Sequence, residues 1–560
     1  MHRLFALDRE YGIATYPEWG TWEGRYERNG KWTDNSESAR RQREDEEEWS
    51  HAVLRSIDRD KLSADEKINY DLYYKRMERG LVARDSPDRY LVVTQLGGVH
   101  QSAPRIFRVM PKETVKHYED ILSRMWGLPQ VIENDIHRMK VGLTMGITPP
   151  QITMRDVPDQ VLAIVPDDPT ESAMYAPFRE MPSSISKGEQ NALRAEYSRL
   201  YREFVAPAYA ELHTFLERIY IPGCRTSIGY SDLPDGKRWY AYEVEGYTTT
   251  KMSPEEIFAI GKEEVASIRQ EMRDVVAASD FDGDLEEYEE FLRTDPQFYY
   301  DDPEELLRGY RDICKRADPA LAKLFGYLPR MPYGVIPIPD YMAKSQTTAY
   351  YSGGSIETGR PGYFYANTWD LASRPKWEME PLALHEAVPG HHLQISIAAE
   401  LDDLPKWRRR GGYTAYVEGW GLYSESLGEE MGFYTTTSTK YGQLSYQMWR
   451  AVRLVVDVGI HHKGWSRQQA IDYFRSNSGK SLHDIEVEID RYIVWPGQAL
   501  AYKIGERKIV ELRKRARTKL DDAFDIRDFH DEILGDGPMP LDLLEKKIDA
   551  WIVGGGASGS

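Results

Sequence analysis

Residues 385–392 read HEAVPGHH, and the fold and the chemistry both turn on whether this is a metal-bearing helix interrupted by two residues. The regular H-E-x-x-H pattern sets two histidines four apart on one helix face, with a glutamate beside the first as general base. Here the position four after His385 is Pro389, which offers no ligand, and the next histidines are His391 and His392. A helix entering at Pro381 carries His385 and Glu386, with Leu382, Leu384 and Val388 to pack it. Pro389 removes a helix N–H and clashes with the preceding turn, while Gly390 permits the backbone that a break demands. The chain then restarts on a histidine that can swing back toward the first. Surface polar residues around a helix end would give a similar string. Against that, the chain has only 13 histidines, and three of them fall within these eight residues beside a glutamate.

A catalytic zinc site keeps three protein ligands and an open position. Residues 411–427, GGYTAYVEGWGLYSESL, read as a helix with Glu418 in its apolar middle and Glu425 two turns later. A buried carboxylate requires a partner. Zinc is one candidate; an arginine such as Arg450 or Arg453 is the other. The order His-Glu, then His, then Glu is that of glutamate-ligand zinc peptidases, so the expected ligands are His385, one of His391 and His392, and Glu418.

Four segments, HEAVPGHHLQ, YVEGWGLYSE, GRPGYFYANT and WPGQALAYKIG, resemble signature segments of the bacterial domain-of-unknown-function 885 family, which is grouped with the glutamate-ligand zinc metallopeptidases. The resemblance runs from near residue 60 to near residue 552. It implies a mainly α, large helical zincin-like metallopeptidase fold with a small β-element before the active-site helix and a deep cleft. It supplies a class of activity rather than a substrate. The dipeptidyl-peptidase III family, with its H-E-x-x-G-H form, offers a guide to the second ligand: aligning glycine before histidine selects His391. Helix geometry favours His392 instead, since seven residues are near two turns. That would leave the two rings on one face but roughly 10 Å apart along the axis unless the helix breaks, so His391 is preferred and the expected ligand set is His385, His391 and Glu418.

Hydrolysis at zinc needs a base for the water and a donor for the oxyanion. Glu386 is the base candidate, next to a ligand. For the donor the segment 488–505 offers Tyr502 and Tyr492, with Tyr502 preferred; His392, if it is not a ligand, competes for the task. Arg491 and Lys503 are cations that can take a substrate carboxylate, and Arg360 and Asn367 are candidates for other polar groups of a substrate. With 37 tyrosines in the chain, packing is the ordinary role of any one of them. The segment 347–368, with Ser352-Gly353-Gly354-Ser355, reads as a strand edge able to pair with an extended peptide.

The bulk of the chain fits this reading. It has 560 residues and a formal net charge of −19, which disfavours nucleic acid and anionic membranes as partners. Its 41% hydrophobic and 12% aromatic content is that of a folded protein. Two cysteines, Cys224 and Cys314, exclude a disulfide framework and a cysteine zinc site. The first twenty residues carry charges throughout with no apolar core of signal-peptide length, and no run of 18 apolar residues occurs, so the expected location is the cytoplasm.

Helices are predicted within 36–85, over 112–147, from about 187 to 219 and from Ser253 to about 278. Short strands are predicted within 220–250 and again within 331–368, and helix from 380 onward. The expected organisation is a helical region 1–330 forming one wall of the cleft, a catalytic region 331–553, and a flexible tail 554–560. The expected function is zinc-dependent cleavage of short peptides. An amidase with the same metal site is the first alternative, and an inactive peptide-binding protein on the same scaffold the second; retention of Glu386 speaks against the last, since binding alone needs no general base.

Overall fold

A computed structural model describes residues 1–344, 346–409 and 411–556. Of the tail expected to be flexible, 557–560 lies outside the described residues. The architecture is mainly helical, with one three-stranded sheet among the described residues. The chain divides into two compact units, Met1–Ser227 and Ile228–Ser560. The sequence reading set its division near residue 330 instead. Helix Pro254–Ala277 shows why the observed boundary lies earlier: its buried residues Ile257, Val265, Ile268, Met272 and Val276 form one apolar stripe, and it packs along helix Thr437–His461 of the same unit.

In the first unit the predicted helices appear as Glu37–Arg55, Ala64–Ala83 and Val115–Met145. Ser63 caps the second by accepting from the Glu66 N–H at 3.3 Å, but the Glu66 carboxylate bonds His2 rather than closing a capping box. The expected long helix from 187 is continuous as far as Gly223 yet widens twice, at Tyr201–Val205 and Leu216–Tyr220. Pro207 and Pro222 follow directly. A proline has no N–H to give and its ring crowds the carbonyl one turn back, which the wider turns relieve. The unit's core includes Tyr118, Ile121, Met125, Tyr197, Tyr209 and Leu212.

In the second unit the strands expected within 220–250 are absent: Gly236–Thr248 is an α-helix. The alternation in RWYAYEVEGYT misled because its buried set, Trp239, Tyr240, Glu243, Val244 and Thr248, falls equally at helical spacing. The strands within 331–368 form as expected. β1 (Tyr333–Pro337) pairs parallel with β3 (Gly362–Ala366), and β3 pairs antiparallel with β2 (Ala349–Ser352), giving the order β1-β3-β2. The proline-bearing first strand is therefore at an edge, where a missing N–H is tolerated.

After the sheet come helices Met379–Glu386, His391–Glu400, Thr414–Ser426, Thr437–His461, Leu482–Val494 and Ala501–Leu520. The pair Thr414–Ser426 and Ala501–Leu520 touches backbone to backbone at two glycines: a Cβ on Gly505 would lie 1.8 Å from the Ala415 carbonyl oxygen, and one on Gly419 would lie 2.5 Å from Gly505 Cα. The Glu418 segment and the Tyr502 segment thus meet because neither helix has a side chain at the crossing. Among the described residues no helix is long and apolar enough to cross a membrane.

Candidate metal centre

The Pro-Gly insertion shapes the site. Helix Met379–Glu386 ends with the Ala387 N–H donating to Ala383 O at 2.9 Å, and the chain turns through 387–390 before the next helix starts at His391. Gly390 passes so close over the end of the first helix that a Cβ would sit 1.9 Å from the His385 carbonyl oxygen. Only glycine fits there. The Trp420 indole N–H fixes the turn by donating to Pro389 O at 2.8 Å. The turn folds His391 back, so that its ring centroid lies 4.6 Å from that of His385 with the planes nearly perpendicular, at 83°.

His385, His391 and Glu418 each offer a ligand atom, and these atoms lie within 4.8 Å of one another. Glu418 Oε2 is 3.5 Å from His385 Nε2 and 3.3 Å from His391 Nε2, yet it is buried without a hydrogen-bond partner. Two imidazole nitrogens and a carboxylate oxygen, converging with one oxygen unsatisfied, are the donor set of a three-ligand zinc site with an open position, so the residues present fit the ion. The His385 ring lies directly against helix Thr414–Ser426, where Gly421 leaves room: a Cβ at that position would be 2.7 Å from His385 Cε1.

The far side of His385 is held as metal-binding histidines usually are. Its Nδ1 bonds Glu425 Oε1 at 2.8 Å, and Arg450 Nη2 approaches the same oxygen at 3.1 Å. Of the arginines weighed as partners for Glu418, Arg450 is engaged by Glu425 and Arg453 by Glu488, and Glu418 is left facing the two histidines. Burial opposes charge on His385, but Glu418 and Glu425 outweigh it and lift its pKa to about 10. Burial pushes Glu418 up as well, and the two histidines more than reverse this, holding it well below the usual carboxylate range. Glu386 is 7% exposed, and burial, aided by the Glu418 charge, raises its pKa.

Replacing Glu425 with glutamine is expected to weaken zinc binding by about 10–100-fold, the usual consequence of losing the outer partner of a metal-binding histidine. Competition for zinc against a chromogenic chelator measures it, with far-UV circular dichroism confirming the fold. Unchanged affinity would show that Glu425 serves only to neutralise Arg450.

The remaining sequence candidates separate clearly. Tyr502 is brought to the site: its ring lies 6.3 Å from that of His385, near parallel at 18°. Its hydroxyl accepts from Arg491 Nη2 at 3.1 Å, which leaves its own hydrogen available to donate. Tyr492 is spent elsewhere, its hydroxyl accepting from Trp449 Nε1 and Arg453 Nε. His392 is turned toward the sheet, with Nδ1 bonded to the Tyr351 hydroxyl at 2.8 Å and its ring against Tyr333; burial brings its pKa down to about 4. It joins neither the ligand group nor the candidate donors.

Lys503 and Asn367 do not offer themselves to a substrate. The Lys503 ammonium meets Gln447 at 2.6 Å, Glu506 at 2.8 Å and Glu264 at 3.2 Å, which uses its three donors. The Asn367 amide donates to the carbonyls of Ala343, Gln346 and Thr347, and its oxygen accepts from the Trp369 N–H. It clamps the loop before β2. Arg360 sits in the turn between β2 and β3, where its backbone bridges Ser355.

Sequence reasoning missed a polar stripe on helix Thr437–His461. Residues 441–461 are all buried, yet Gln443, Gln447, Arg450, Arg453, Asp457 and His461 recur every three or four positions. Gln447 holds Lys503, Arg450 holds Glu425, Arg453 holds Glu488, and Asp457 accepts from Tyr240 and Gly497. The signal was present as polar residues at helical spacing inside an apolar run.

Comparisons with known proteins agree with the fold. The chain belongs to the family described as bacterial protein of unknown function (DUF885), whose model matches residues 17–548. No curated protein matches it. A crystal structure of a protein from Colwellia psychrerythraea, provisionally described as a lipoprotein, is similar at a TM-score of 0.93 and 26% identity, covering 99% of each chain. Another from Shewanella oneidensis, provisionally described as a lipoprotein of unknown function, has a TM-score of 0.69 at 16% identity, covers 97% of this chain and 98% of that one, and shares the fold.

Proposed function

We propose that the protein is a zinc-dependent hydrolase of zincin type that cleaves short peptides, with His385, His391 and Glu418 as ligands. The observation that carries this is the convergence of those three side chains within 4.8 Å around an unsatisfied Glu418 oxygen, with Glu386 adjacent in the chain. A zinc ion held there would supply a Lewis acid that acidifies water and polarises the scissile carbonyl. Glu386 takes a proton from the attacking water and returns it to the leaving nitrogen. The water oxygen becomes part of the new carboxylate as the C–N bond breaks. Tyr502 donates its free hydroxyl hydrogen to the carbonyl oxygen as charge develops on it.

The test is hydrolysis of a mixed-sequence set of short peptides by protein purified without chelator. Cleavage that stops on metal removal and returns with stoichiometric zinc is the expected result. Cleavage that survives complete metal removal, or no cleavage of any peptide, would contradict the proposal.

A further inference from the structure

Beside the ligand group lie three arginines, with Glu425, Glu488 and Glu386 as the carboxylates near them. Arg450 is matched by Glu425 at 3.1 Å. Arg453 and Arg491 share Glu488, at 3.0 and 3.5 Å. Arg453 also donates to Tyr492 at 2.8 Å, and although its Nη1 has no partner the side chain is only 3% exposed, so no ligand reaches it. Arg491 is different. Both hydrogens of its Nη2 are used, by the Gln498 side-chain oxygen at 3.0 Å and the Tyr502 hydroxyl at 3.1 Å, while Nη1 meets Glu488 only at 3.5 Å. Its side chain is 13% exposed, against 4% for Arg450 and 3% for Arg453, and its guanidinium stands 5.7 Å from the ring of exposed Trp495, so of the three it lies nearest solvent. A nearly buried guanidinium with half a counter-ion and donors to spare calls for an anion, and the planar fork matches a carboxylate.

The location fixes what that anion belongs to. Tyr502 links Arg491 to His385, its hydroxyl on the one and its ring 6.3 Å from the other. At roughly 3.3–3.6 Å per extended residue, a carboxylate on Arg491 is about one or two residues from a bond held at the ligand group. We infer that Arg491 anchors the free C-terminal carboxylate of a short peptide, making the protein an exopeptidase that cuts at the C-terminal end. The inference rests on the hydrolase reading above for the cutting, and on Arg491 alone for the anchoring.

Binding separates the two. Zinc-loaded protein carrying Glu386→Gln is offered a mixed-sequence tripeptide library with free C-terminal carboxylates, and the same library amidated. The acids are expected to bind at least about tenfold more tightly, the factor that one charged hydrogen bond confers. The preference is expected to vanish in Arg491→Gln and to return in part in Arg491→Lys. Arg491→Gln leaves Glu488 paired with Arg453, which protects the fold. The acid-against-amide comparison tests for a carboxylate anchor without any variant, and an acid preference that survives in Arg491→Gln would overturn its assignment to Arg491. Equal binding, tighter binding of amides, or no binding of either library would overturn the inference. Failure of the unmodified protein to cleave peptides that it binds by their carboxylates would instead overturn the hydrolase reading.

Discussion

Exchange of Glu386 for glutamine is expected to leave zinc content unchanged and to lower kcat by at least about 10²-fold, within the range that a positioned general base contributes. Glutamine keeps the size of the side chain but cannot take a proton from water. Glu386 is the last residue of its helix, between His385 and the turn that returns His391. None of the three proposed ligands is altered, so metal binding is the internal control. Steady-state kinetics paired with metal analysis makes the comparison. Turnover near that of the unmodified protein would remove Glu386 from the base role.

Tyr502→Phe is expected to lower kcat by about 10²–10³-fold, or roughly 2.7–4 kcal/mol, with little change in KM, because an oxyanion donor acts mainly in the transition state. The geometry that supports it is specific: the hydroxyl accepts from Arg491, so its hydrogen is not needed there, and the ring stacks near His385. A loss below about 1 kcal/mol, or an effect confined to KM, would make Tyr502 a positioning group for Arg491 rather than a donor to the reacting carbonyl.

Much of the site was legible because proline, glycine and histidine carry strong local meaning. Pro389-Gly390 between His385 and His391 implied a helix break, and the break is there, with Gly390 packed on the His385 carbonyl. Glu418 stood out as a carboxylate in an apolar stretch, and it faces both histidines. The choice between His391 and His392 could be weighed but not decided from spacing, because it depends on how far the turn folds back. Cations were the least legible. Lys503 and Arg491 looked alike in sequence; three acceptors brought by Glu264, Gln447 and Glu506 absorb the first, and only tertiary packing reveals that. Asn367 was misread for the same reason, since its partners are backbone carbonyls some twenty residues upstream. The helix Gly236–Thr248 was missed because aromatic alternation satisfies both periods over a short stretch.

The central claim is that HEAVPGHH bends to place His391, and not His392, beside His385 on a metal. An anomalous difference map at the zinc edge, from crystals of protein purified without chelator, tests it most directly. The account predicts one peak per chain, about 2.0–2.2 Å from His385 Nε2, His391 Nε2 and a Glu418 carboxylate oxygen. A map with no peak at these residues, or with the peak on His392, would contradict it.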